Sequence, residues 1–84
     1  MNTSGFSIGS LYKITRRAVS GERAWESGWV SRMDATIGSI GEVVDVDRRH
    51  GIRLLLKETK QRWWYPPWVL VSYNPHPNED YWTP

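Results

Sequence analysis

The sequence predicts an all-β fold: a small five-stranded barrel with a long first loop, a 3₁₀ turn and an irregular C-terminal tail. Three observations predict it. Ile40-Gly41-Glu42-Val43-Val44-Asp45-Val46-Asp47 reads as a strand, and Ile52, Leu54 and Leu56 face one way with Arg53 and Lys57 opposite, the period of a half-buried strand. Polar, turn-forming stretches follow each run. No segment shows helical periodicity or an internal repeat.

In chain order, residues 1–9 are small, polar and Gly-containing and read as a flexible lead-in to a barrel spanning 10–73. Leu11-Tyr12-Lys13-Ile14-Thr15-Arg16 alternates and is rich in β-formers, so it is the first strand. Arg17 to Arg32 holds Gly21, Gly28, Trp25 and Trp29 without a clean period; it is a long loop, with a short strand expected near Trp29-Val30-Ser31. Loops of this length in small domains tend to be functional. Gly38 and Gly41 flank Ile40 and indicate a bulge or a close backbone approach at the start of the next strand.

Arg48-Arg49-His50-Gly51 is a hairpin turn in which Gly51 is free to take a positive φ. Glu58-Thr59-Lys60-Gln61-Arg62 is a second hairpin tip. Trp63-Trp64-Tyr65 is a short strand stopped by Pro66-Pro67, which have no N–H to give a ladder. Trp68-Val69-Leu70 suits a 3₁₀ turn and Val71-Ser72-Tyr73 a last strand, followed by a Pro-containing tail, 74–84. Strand, long loop, strand, tight hairpin, strand, hairpin, strand, 3₁₀ turn, strand is the order of an SH3-like barrel, which leaves little unpaired sheet edge.

The 84 residues make one domain, 39% hydrophobic and 24% charged. No apolar run is long enough for a membrane span, and no cationic stretch followed by an apolar one opens the chain as a secretory signal would. Cysteine is absent, which excludes disulfides, Cys-ligated zinc and thiol catalysis and points to a cytoplasmic module. The surplus is aromatic: six Trp, four Tyr and one Phe.

Part of the chain resembles the Mind bomb-type repeat modules, SH3-like barrels of some ubiquitin ligases. The residues that carry the resemblance are Trp29, Met33-Asp34, Ile37-Gly38, Ile40-Gly41-Glu42-Val43, Val46-Asp47, Gly51 and Trp64-Tyr65-Pro66-Pro67 through Leu70, over about half of the chain, 29–71. Similar short motifs occur in small phage proteins of unknown role, where an accessory or inhibitor function is an alternative. The resemblance implies an SH3-like fold and the binding of partner-protein segments. It implies no ligase, since neither a RING nor a catalytic cysteine is present in this sequence.

The sequence offers no catalytic constellation. His50 lies in a hairpin turn and His76 between two prolines, neither beside an oriented partner. Asp45, Asp47 and His50 are read as a solvated face rather than as a metal site, and no Gly-rich phosphate loop or cofactor motif is present. The expectation is a non-enzymatic binding module.

Neighbouring strand residues point to opposite faces, so Trp63 and Trp64 cannot share one interior. Trp64 is assigned inward, with Trp63 and Tyr65 outward; Trp29 anchors the loop and Trp25 is more exposed. In peptide-binding SH3-like barrels the groove lies between the first loop and the 3₁₀ turn. That places Trp25, Trp63, Tyr65, Trp68 and Tyr73 around one aromatic groove for a partner-protein or peptide segment. The exposed aromatics, or the tail docked in the groove of its own or a neighbouring copy, would also serve a homodimer.

Charge supports an alternative. Arg48, Arg49, Arg53, Lys57, Lys60 and Arg62 face only Glu58, and eight of the eleven basic residues are Arg. Arg53 and Arg62 beside a stacked Trp would bind an anionic nucleotide or nucleic acid.

Overall fold

A computed structural model describes residues 1–74 and contains five antiparallel strands. They are β1 (Leu11–Ile14), β2 (Ile40–Asp47), β3 (Gly51–Leu56), β4 (Arg62–Tyr65) and β5 (Leu70–Ser72). Three 3₁₀ turns, Glu22–Ala24, Ser31–Thr36 and Pro67–Val69, complete the regular structure of the described residues. The strand order is β4-β3-β2-β1-β5. A flat sheet would hold β4 and β5 roughly 19 Å apart, at about 4.8 Å per strand. Yet only Pro66 and a three-residue 3₁₀ turn, rising about 2 Å per residue, separate them in the chain. The sheet must therefore curl, and the fold is the SH3-like barrel that the element order predicts.

Directly paired residues share a face. Ile14 opposes Leu70, Gly41 opposes Leu56, Val43 opposes Leu54 and Ile52 opposes Tyr65, and this row lines the interior. Ala18, Trp25, Trp29 and Met33 of the long loop complete the core. A chain of this size has little else to bury, and each large ring removes about 150–250 Å² from water.

The register on β4 reverses the expected faces. Tyr65 lies inside against Ile52, Trp63 shares that inner side against Leu54 and is half-buried, and Trp64 lies outside against Arg53. The cause is the hairpin: Leu56 N–H donates to the Gln61 carbonyl at 2.9 Å, which pairs odd residues of β4 with the inward row of β3. Trp25 is also inside, only 2% exposed, rather than at the surface. Its indole N–H donates to the His50 carbonyl at 2.7 Å, and the next residue follows suit, Glu26 N–H donating to the Arg49 carbonyl at 3.0 Å. Trp29 anchors the loop as expected. It meets Tyr65 edge-on at 5.8 Å and donates its indole N–H to Asp34 at 2.7 Å.

The expected strand at Trp29-Val30-Ser31 is not formed. Met33 N–H turns back to the Val30 carbonyl instead and opens a 3₁₀ turn. The segment ahead of β1 packs: Gly9 N–H donates to the Val43 carbonyl, Val43 N–H to the Ser10 carbonyl, and Phe6 lies 4.8 Å from the Tyr12 ring. The tail proposed for the groove lies, from residue 75 on, outside the described residues.

Two glycines hold the barrel tight. The close approach expected at Gly41 is there, since a Cβ would sit 2.9 Å from Leu54 Cβ; the bulge falls later, between Val43 and Asp45. Gly51 has φ 98°, and a Cβ there would run into the Tyr65 carbonyl oxygen. Gly51→Ala combines left-handed strain with that overlap and is expected to cost about 3 kcal/mol. Thermal denaturation should show a fall in Tm of roughly 15 °C; an unchanged melt would contradict the close β3–β4 approach.

Candidate functional site

The tip of the long loop, the 3₁₀ turn after β4 and residues ahead of β1 form an open cleft. It has a volume of about 380 Å³ and is lined by Met1, Asn2, Phe6, Arg23, Pro67 and Trp68. Pro67 and Trp68 are placed by the 3₁₀ turn that follows β4, with Pro66 buried behind them. Arg23 is placed by a strained tip: Gly21, Arg23 and Ala24 all take left-handed φ values, 81°, 49° and 64°. For the two non-glycine residues that conformation costs roughly 1–2 kcal/mol each. Tertiary contacts impose it, among them the Arg23 guanidinium lying 5.1 Å above the Trp68 ring and the buried anchor of Trp25 one residue beyond the tip.

Among the described residues, Arg23 is the only charged side chain lining the cleft. Neighbouring Glu22 is occupied: its carboxylate accepts the Val19 N–H at 3.2 Å and pairs with Arg16 at 3.4 Å. The Val19 bond chiefly holds that carboxyl below the usual carboxylate range, against the opposing pull of burial, with Trp68 and Arg16 assisting. The indole N–H of Trp68 is nonetheless shielded from solvent without a hydrogen bond of ordinary geometry.

The other residues expected in an aromatic groove are dispersed. Trp25 and Tyr65 are core residues. Trp63 is half-buried and donates its indole N–H to Gln61 at 3.2 Å. Tyr73 is exposed just beyond β5, its N–H bound to the Leu11 carbonyl. Only Trp68 lines the cleft. The sequence reading missed Arg23, Pro67, Phe6, Met1 and Asn2; the one available signal was Gly21, which marks a tight tip.

Arg53 and Arg62 stand on the outer face of the sheet with Trp64. The Arg53 guanidinium lies 5.8 Å from the Trp64 ring, and its Nε is buried without a hydrogen bond. His50 approaches the same ring at 5.6 Å while its Nδ1 lies 2.9 Å from Ser27 Oγ. The basic run does not gather into one patch. Arg48 and Arg49 sit at one end of β3 and Lys57 and Lys60 at the other, roughly 20 Å away at about 3.3 Å per residue, and Arg49 pairs with Glu26.

Tyr65 secures the loop that carries Arg23. Its hydroxyl donates to Thr36 Oγ1 at 2.7 Å, and Thr36 donates onward to the Met33 carbonyl at 2.6 Å. Burial pushes the phenol up to about 12.

A curled five-stranded sheet with a long first loop facing a 3₁₀ turn defines an SH3-type barrel, a class whose members are generally non-catalytic and bind protein segments. The chain matches the Mind bomb SH3 repeat domain over residues 6–70 and belongs to that family. No curated protein and no solved structure matches it significantly. Among the described residues, no helix is long and apolar enough to cross a membrane.

Because the folded pKa of Tyr65 is raised, the stability tied to its neutral phenol is intact below pH 10 and is lost as pH rises through 12. Denaturant melts from pH 9 to 12.5 should show this loss, and Tyr65→Phe should abolish it while costing about 1–2 kcal/mol at pH 7. An identical alkaline loss in Tyr65→Phe would place its origin elsewhere.

Proposed function

We propose that this chain binds an extended, proline-containing segment of a partner protein in the cleft between the long loop and the 3₁₀ turn, with Trp68 and Pro67 as the apolar contacts. The observation that carries the reading is the open cleft itself. At about 380 Å³ it lies within the range of about 300–1,000 Å³ usual for ligand sites, and apart from Asn2 and Arg23 its lining is apolar. Prolines stack well on an indole and a second proline, and a polyproline segment is already ordered, so little conformational entropy opposes docking. The lack of cysteine suits a reducing, cytoplasmic setting.

A second reading rests on the outer face. Arg53 stacked beside Trp64, with Arg62 two residues along β4, offers a fork of donors and a ring to an anionic nucleotide. Salt separates the two. Binding through several phosphates weakens steeply between 50 and 200 mM salt, whereas binding of an uncharged proline-rich peptide in the cleft changes little.

Fluorescence titration with a synthetic proline-rich peptide tests the first reading. Trp68→Ala should weaken binding at least tenfold, roughly 1.4 kcal/mol or more. Trp64→Ala should leave binding unchanged, with circular dichroism confirming that both variants fold. Equal affinity in folded Trp68→Ala would refute the cleft, and a loss confined to Trp64→Ala would move binding to the outer face.

A further inference from the structure

We infer that the cleft discriminates by charge: its partner segment carries a carboxylate beside the apolar residues that seat on Trp68. This rests on the cleft reading above and names the partner's chemistry.

Three observations converge on it. Among the described residues, Arg23 is the single charged side chain of the lining. It makes no ion pair with any described residue; the basic side chains within ion-pair distance of an acid are Arg16, Arg17, Arg49 and His50. The acid closest in sequence, Glu22, is taken by Arg16 and the Val19 N–H and so does not neutralise it. An unpaired guanidinium at an apolar cleft repels a basic segment and attracts an acidic one.

Position strengthens the case. Arg23 is held at φ 49° between Gly21 and Ala24, both also left-handed, so its backbone is fixed before any partner arrives. Its guanidinium is laid on the Trp68 ring at 5.1 Å. Stacking spends the π face of the guanidinium and leaves its in-plane N–H donors free, and a carboxylate accepts two of those in parallel. Because the group is already in place, less side-chain entropy opposes the contact than at a free surface arginine. One segment would thus meet an indole for its apolar residue and a fork of donors for its acid, within one cleft.

The test uses the whole 84-residue chain and three peptides sharing a Pro-Pro-Leu-Pro-Pro core, flanked on both sides by Glu, Gln or Lys. At 50 mM salt the Glu peptide should bind about fivefold more tightly than the Gln peptide, and the Lys peptide about fivefold more weakly. Arg23→Gln should flatten this ranking without losing the Gln peptide, and Arg23→Glu should invert it. Both replacements keep a non-glycine residue at the same φ, and thermal melts confirm that they fold. At 500 mM salt the wild-type ranking should collapse toward the Gln value.

A flat ranking in the wild type, or one that survives Arg23→Glu, would overturn the charge reading while leaving the cleft intact, provided that Trp68→Ala still loses the Gln peptide. If the Gln peptide does not bind the wild type, or binds Trp68→Ala equally well, the cleft reading fails and this inference falls with it.

Discussion

The ring of Tyr65 closes the interior from several sides at once. It stands on the last residue of β4, opposite Ile52 of β3, and takes Trp29 of the long loop edge-on. Its hydroxyl reaches Thr36, and its carbonyl lies against Gly51. One side chain thereby joins the hairpin sheet to a loop that contributes a third of the buried apolar residues. A chain this small, with no disulfide to cross-link it, depends on such multiple use of each large side chain. The hydroxyl costs nothing in burial because Thr36 and then Met33 accept the chain of donors.

Much of this was legible in the sequence. The alternation of β3, the left-handed Gly51, the close approach at Gly41 and the proline stop after Tyr65 are local rules, and each is expressed where the residues indicated. The phase of Trp63-Trp64-Tyr65 was not. Alternation says that neighbours point apart but not which neighbour points in; that is settled by counting partners across the second hairpin, where Leu56 meets Gln61. Trp25 was misplaced for a related reason. Its anchor is the His50 carbonyl, and a backbone acceptor carries no side-chain signature.

The same inward shift changes what is left for recognition. With Trp25, Trp29 and Tyr65 committed to the core, these rings are not available at the surface of the described residues. There is a cleft at Trp68, completed by Met1, Asn2 and Phe6. Their contribution was hidden because a small, polar, glycine-containing start reads as a lead-in, and only the backbone bonds of Gly9 and Ser10 with Val43 bring it back over the barrel. The outer face keeps Trp64, but beside Arg53 rather than among other aromatic rings.

The bonds from Trp25 and Glu26 to His50 and Arg49 tie the tip of the long loop to the turn between β2 and β3. Surface loops ordinarily open alone, at little free-energy cost. Here the loop is fastened by backbone pairing and a buried indole to the hairpin with the longest strands of the sheet, which couples the opening of the two. In amide hydrogen exchange the Glu26 N–H would then be protected together with its β2 and β3 counterparts, and the scaffold would meet an incoming peptide already rigid.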